Sequence, residues 1–272
     1  MVAIAADHTL LEILEPLAVK AGEEILAVRA NGIVATQKAD HSPVTEADNR
    51  AEAVILAGLR NIWPDVPIIA EEEAAAGRVA DVSSAPFFLV DPLDGTKEFI
   101  KGNADFTVNI ALVENGIPVA GVVYAPARGI LYSAGAIGAF RSEVIGGAKI
   151  VGRRPIKGSA LGDPVRIVAS KSHNTPETDA FIERFAGAER VSVGSSLKFC
   201  LLAEGTADLY PRFGRTMEWD TAAGDAILRA SGGRTITLAG LPLIYGKRNQ
   251  TDDADFANPH FISTTGPGAT LL

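Results

Sequence analysis

Phe87-Phe88-Leu89-Val90-Asp91-Pro92-Leu93-Asp94-Gly95-Thr96-Lys97-Glu98-Phe99 is the stretch that decides the fold of this chain. Four apolar residues, typical of a buried strand, run into two carboxylates and then a Gly-Thr step suited to opening a helix. Two carboxylates at the end of a buried strand repel each other unless a cation lies between them. Hard divalent cations such as Mg²⁺ take oxygen ligands of this kind and keep positions open for water and phosphate. The backbone N–H groups of Gly95 and Thr96 would then face a bound anion from a helix N-terminus. The competing reading is an Asp-Pro turn followed by an Asp-Gly turn with no ligand at all.

Upstream, Leu10, Leu11, Leu14, Leu17, Ala18, Ala21, Ile25 and Val28 recur at helical spacing, predicting an amphipathic helix over 8–30. Thr45, with Asp48 three residues on, reads as the cap of a second helix that ends at Ile62, before Trp63-Pro64. Val66 to Ile69 reads as a short strand delivering Glu71-Glu72-Glu73. Downstream, 106–113, 118–125 and 130–133 predict an antiparallel meander with turns at Glu114-Asn115-Gly116 and Pro126-Ala127-Arg128-Gly129. The Gly-rich stretch 135–162 reads as irregular and as the boundary between halves. Strands at 166–170, 189–193, 207–212 and 234–238 then alternate with helices at 176–186, 195–204 and 220–231.

The chain has 272 residues, 47% hydrophobic and 21% charged, with a formal charge of −8. That size allows one large domain or two sharing a face, and the acidic balance argues against a nucleic-acid partner. No apolar run reaches the roughly 20 residues of a membrane span, and the N-terminus carries no signal-peptide pattern. The single cysteine, Cys200, excludes an internal disulfide, fits a reducing compartment and reads as a packing residue. The expected location is the cytoplasm, and no stretch is amphipathic and basic enough for more than a weak peripheral contact with the inner membrane.

Four acidic groups flank apolar segments: Asp48, Glu71-Glu72-Glu73, Asp91 with Asp94, and Asp220. Each alone reads as a solvated cap. Together they offer the oxygen donors of a site for two or three metals, in which Asp91 could bridge two ions. Two cations about 4 Å apart can stabilise both the attacking and the leaving oxygen of a phosphoryl displacement. Asp220 also suits a helix N-cap, and the small residues Ala222-Ala223-Gly224 permit close backbone approach. One of Glu72 and Glu73 could sit just behind a metal ligand, but the run reads rather as a solvated acidic turn.

Asp91-Pro92-Leu93-Asp94-Gly95-Thr96 with Trp219-Asp220-Thr221-Ala222-Ala223-Gly224, and the acidic pair Glu71-Glu72 after a strand, resembles the inositol monophosphatase superfamily of Mg²⁺-dependent phosphatases. The resemblance spans Thr45 to Gly233. Gly95 to Ile100, Ser170-Lys171-Ser172-His173, Gly194 to Cys200 and Leu209-Tyr210-Pro211-Arg212-Phe213 look most like its CysQ-type 3′(2′),5′-bisphosphate nucleotidases. It implies a mixed α/β (α+β) fold layered α-β-α-β-α, with residues 1–155 holding most metal ligands and 156–272 holding substrate-binding residues and Asp220.

It further implies two or three Mg²⁺ ions on Glu71, Asp91, Asp94, Asp220 and the Leu93 carbonyl. Asp48 and Thr96 would orient and deprotonate the attacking water. Gly95 and Thr96 would hold the scissile phosphate, and His173, Ser195, Lys198 and Arg212 the nucleotide and its second phosphate. The implied reaction converts adenosine 3′,5′-bisphosphate to AMP and phosphate, clearing a by-product of sulfur metabolism, with 3′-phosphoadenosine 5′-phosphosulfate as a further substrate. An inositol or broad sugar phosphatase on the same metals, and a catalytically silent nucleotide or metal sensor, stand as alternatives. The implied oligomeric state is a monomer or a homodimer. Glu218 departs from the apolar residue that such chains often carry before the tryptophan, a change that could alter local polarity near the expected adenine region in either direction.

Overall fold

Asp7 accepts the Thr9 and Leu10 amides and so caps the first helix, α1 (His8–Asn31), of a computed structural model that describes residues 4, 6–38, 42–83, 86–169 and 175–266. A short hairpin of β1 (Ala35–Gln37) and β2 (Pro43–Thr45) leads into α2 (Glu46–Ile62). Thr45 and Asp48 close a reciprocal capping box there, as their spacing predicts. β3 (Ile68–Ala70) runs into α3 (Glu71–Ala75), and β4 (Phe87–Asp94) into α4 (Thr96–Ile100). β5 (Thr107–Glu114), β6 (Ile117–Ala125) and β7 (Ile130–Gly135) form the expected meander.

The meander continues through β8 (Gly138–Ile145) and β9 (Lys149–Ile156), which corrects the reading of 135–162 as irregular. In β9, glycine and charged residues suit an edge strand with exposed side chains, and such a strand lacks the apolar run that announces a buried one. The result is a seven-stranded sheet in the order β3-β4-β5-β6-β7-β8-β9.

β10 (Arg166–Ala169), α5 (Pro176–Glu183), β11 (Glu189–Ser192), α6 (Leu197–Ala203), β12 (Leu209–Arg212), α7 (Ala222–Ala230) and β13 (Arg234–Thr237) follow the predicted alternation. The sequence pattern did not show β14 (Phe261–Thr264), which inserts antiparallel between β12 and β13. The second sheet is therefore mixed, in the order β11-β10-β12-β14-β13.

Alternation within β4 shows how the layers stack. Phe88 and Val90 face α1 and α2, packing with Leu10, Leu14, Ile25 and Ile55. Phe87 and Leu89 face the other way, into a cluster with Phe199 of α6, Ile227 of α7, and Tyr210 and Phe261 of the second sheet. On that sheet's far side, Ile167, Leu209 and Ile262 meet Phe181 and Ile182 of α5. The order is α-β-α-β-α.

Each buried Leu, Ile or Phe contributes about 1.5–3 kcal/mol by leaving water. One close joint lies at α7. A Cβ on Gly224 would stand 2.6 Å from the Phe199 ring, and one on Gly121 would stand 2.5 Å from the Ala223 carbonyl. The small residues after Asp220 thus let α7 seat between α6 and the large sheet. A Phe199→Ala change would leave a cavity here and cost about 3–5 kcal/mol.

Candidate active site

The acidic centre begins with an irregularity in the β4–β5 ladder. Asp91 opposes Asn109 and Asp94 opposes Thr107, so two residues of β4 face one of β5. Pro92 has no N–H to give a ladder, and a bulge tolerates it. Leu93 N donates to Asp91 Oδ1 at 3.0 Å, which fixes that carboxylate at the bulge. Both acids therefore lie at the end of β4, as the sequence predicts.

An open cleft of about 250 Å³ forms over this bulge. Glu71, from the start of α3, and Asp91, Leu93, Asp94, Gly95 and Thr96 line one side. Ser195, Lys198 and Arg212 line the other, carried by the entry to α6 and the end of β12, while Asp220, in the turn before α7, joins the acids. Asp48 stands behind the wall, 1% exposed, and reaches the cleft only through Thr96. His173 lies outside the described residues.

Burial pushes the Asp91 carboxyl well above the usual range, and the negative charges of Glu71, Asp94 and Asp220 push it further. Asp220 rises to about 8, through burial first and then Asp94 and Glu71. Glu71 is raised by burial as well, against the opposing pull of Lys38. Among the described residues, no Lys or Arg forms a direct ion pair with Asp91, Asp94 or Asp220. Nor do three acidic, thiol or imidazole groups among them converge closely enough to close a coordination shell as they stand. Crowded carboxyls that destabilise one another, beside a peptide carbonyl, make an oxygen-only donor set suited to a hard divalent cation.

Thr96 Oγ1 sits 3.1 Å from Asp48 Oδ1 and 3.2 Å from the Leu93 carbonyl oxygen. The other oxygen of Asp48 accepts the Thr45 amide and hydroxyl, each at 2.7 Å. Asp48 therefore caps α2 and addresses Thr96 at once. Burial raises its pKa, and the hydrogen bonds from Thr45 and Thr96 oppose that rise. Gly95 holds a left-handed conformation at φ 93°, which lets β4 turn directly into α4.

Across the cleft, Lys198 is 6% exposed and donates from Nζ to the Ser195 carbonyl at 2.6 Å. Burial lowers its pKa to about 8, against the raising effect of Asp94. Ser195 adopts φ 57°, an uncommon conformation for a non-glycine residue. Its hydroxyl donates to Asp94 Oδ2 at 2.9 Å, accepts the Ser196 amide at 2.6 Å and meets Thr107 Oγ1. Arg212 directs its guanidinium to the Gly214 and Arg215 carbonyls, both at 3.1 Å, curling the loop beside the cleft.

Several contributors went unseen in the sequence. Ser196 Oγ sits 3.1 Å from Asp94 Oδ2 and 2.6 Å from the Asp220 carbonyl, bridging the two acidic segments. Asn109 donates to that hydroxyl at 3.0 Å. Its signal was a polar residue, like Thr107, on one face of an otherwise apolar strand. Lys38 Nζ bonds Glu71 and Glu72, each at 2.6 Å. Burial disfavours its charge, yet the two glutamates outweigh that and raise its pKa.

That pair corrects the reading of Glu72 and Glu73 as solvated. Glu72 is tied to Lys38, and Glu73 bonds Arg60 at 2.7 Å. Glu218 is fully buried away from the cleft, pairing with Lys247 Nζ at 2.6 Å and accepting the Gly246 and Lys247 amides. Its charge thus holds the segment around Lys247 instead of lining an adenine pocket. Cys200 packs in the apolar cluster between the sheets.

Residues 6–261 match the model of the inositol monophosphatase family. The CysQ 3′(2′),5′-bisphosphate nucleotidase of Escherichia coli K12 is 44% identical over 247 residues, covering 90% of this chain and 95% of its own. Its Salmonella typhimurium counterpart is 44% identical over 257 residues, covering 94% and 99%. Among solved structures, CysQ from Bacteroides thetaiotaomicron superposes with a TM-score of 0.78 at 39% identity, covering 96% of this chain and 98% of that one. No helix among the described residues is long and apolar enough to cross a membrane.

Proposed function

The chain belongs to the inositol monophosphatase family of metal-dependent phosphatases, and on that premise we propose that it hydrolyses the 3′-phosphate of adenosine 3′,5′-bisphosphate to AMP and phosphate. 3′-Phosphoadenosine 5′-phosphosulfate is a second substrate in this reading. The observation that carries it is the pairing of an acidic centre with a buried lysine across one cleft. A monophosphorylated sugar gives such a lysine nothing to neutralise, whereas a second phosphate does. The identity shared with the named nucleotidases supports the same substrate.

Glu71, Asp91, Asp94, Asp220 and the Leu93 carbonyl would hold two or three Mg²⁺ ions. When bound, Mg²⁺ supplies Lewis-acid polarisation of the phosphate and lowers the pKa of water.

The chain's own residues do the rest. Thr96 Oγ1, fixed against Asp48, orients the attacking water, and Asp48 takes its proton through that hydroxyl. Burial makes Asp48 a better proton acceptor than an exposed aspartate. The N–H groups of Gly95 and Thr96 hold the scissile phosphate as the P–O3′ bond breaks and the ribose oxygen gains a proton. Lys198 neutralises the second phosphate, with Ser195 and Arg212 shaping the surface on which the nucleotide lies and His173 contributing to it. Residues 1–155 thus carry most of the chemistry, and 156–272 carry Asp220 and selectivity.

Phosphate release from adenosine 3′,5′-bisphosphate, 3′-phosphoadenosine 5′-phosphosulfate and inositol 1-phosphate, with Mg²⁺ and after chelation, tests this reading. The bisphosphate should be the preferred substrate and turnover should require the metal. A preference for inositol 1-phosphate would identify a sugar phosphatase, and no turnover on any of the three would overturn the assignment.

A further inference from the structure

Asp105 lies in the loop between α4 and β5, 4% exposed, and the chemistry above makes no use of it. Its Oδ2 accepts the Gly194 amide at 3.1 Å, and its Oδ1 accepts Arg128 Nε at 3.1 Å, with Arg128 Nη2 also paired to it. Its backbone is wedged between two glycines of the cleft. A Cβ on Gly194 would come within 2.8 Å of both the Asp105 carbonyl and its Cβ, and one on Gly95 within 2.9 Å of that carbonyl.

We propose that Asp105 is a positioning residue for selectivity, locking the phosphate-holding turn at Gly95 to the Gly194-Ser195 turn that aims Lys198. On the nucleotidase reading, on which this proposal rests, the coupling runs through Ser195. That residue keeps its left-handed backbone only while the preceding amide is anchored, and an uncommon conformation persists where its surroundings over-determine it. Its carbonyl then directs the Lys198 ammonium, and its hydroxyl braces Asp94. Removing the carboxylate leaves the Gly194 amide and the Arg128 guanidinium without that partner, and the turn relaxes.

Kinetics of Asp105→Ala and Gly194→Ala on adenosine 3′,5′-bisphosphate and inositol 1-phosphate test this, with thermal melting as a check on folding. Gly194 has a backbone conformation open to alanine, so that variant presses the turn chiefly against Asp105, with Glu98 Cγ next at 3.3 Å, and serves if Asp105→Ala does not fold. Either variant should raise KM for the bisphosphate about tenfold more than KM for inositol 1-phosphate. In a Lys198→Ala background the additional effect should vanish, because the two residues act through one turn. Equal effects on both substrates, or a selective effect that persists without Lys198, would overturn the proposal. Failure of the wild-type enzyme to hydrolyse the bisphosphate would instead refute the nucleotidase reading itself.

Discussion

The two walls of the cleft solve opposite electrostatic problems. On the β4 side, Asp91, Asp94 and Asp220 crowd together, and burial and mutual repulsion raise Asp91 and Asp220. On the α6 side, a lysine is buried so completely that its pKa falls to about 8, with a backbone carbonyl as its direct partner. One wall holds an excess of negative charge that a metal would relieve. The other holds a positive charge that a substrate phosphate would relieve. Unsatisfied charge of this kind is costly in a core and informative in a cleft. On the proposed reading, the first wall carries the chemistry and the second separates a bisphosphate from a monophosphate.

Removing the charge from the first wall should have the largest effect. Asp91→Asn should lower kcat by two or more orders of magnitude on every substrate, as expected when a group that stabilises developing charge is lost. Its metal-free melting temperature should match or exceed that of wild type, because one member of a repulsive buried cluster is gone. Steady-state kinetics beside thermal melting would read both, and near-normal turnover would break the comparison.

Lys38 sharpens the same contrast, as the one cation among the described residues paired directly with an acid lining the cleft. Lys38→Met should lower metal-free stability by about 1–3 kcal/mol, since it strands two half-buried carboxylates. Mg²⁺ should then raise the melting temperature more in the variant than in wild type. An equal Mg²⁺ shift in both proteins would show that Lys38 has no bearing on the metal site.

The second wall predicts a pH effect of several-fold. Below about pH 8 Lys198 is charged, and above it the ammonium is lost. KM for adenosine 3′,5′-bisphosphate should therefore rise above pH 8, where the phosphates themselves no longer titrate. Lys198→Arg should flatten that limb. The linkage to stability has a definite sign. The folded pKa lies below the ordinary value of 10.5, so the unfolded chain binds this proton more tightly. Lys198 thus costs stability below about pH 8, and the cost fades as pH rises towards 10.5.

The first wall was far more legible in the sequence than the second. Asp91, Asp94, Asp220 and Glu71 are carboxylates at the ends of apolar runs, and that placement is visible in one dimension. Thr45 and Asp48 likewise announce their cap by spacing alone. Long-range partners leave no such trace: Lys38 sits in a hairpin far from Glu71, and Asn109 looks like a polar interruption in β5. Ser195 and Arg212 were legible as residues but not as geometry, since both direct their polar atoms largely to protein groups. Of the fold, the apolar meander was plain, whereas β8 and β9 were hidden by glycines and exposed charges. β14 was hidden because its place in the second sheet depends on strands distant in sequence.

The most direct test of the account is the ratio of kcat/KM on adenosine 3′,5′-bisphosphate to that on inositol 1-phosphate, measured for wild type and Lys198→Ala under the same Mg²⁺ concentration. The ratio should fall by about tenfold or more in the variant, as expected for a lost charge-assisted bond to phosphate, with turnover of inositol 1-phosphate retained. An unchanged ratio would contradict the division of the cleft into a wall that reacts and a wall that selects.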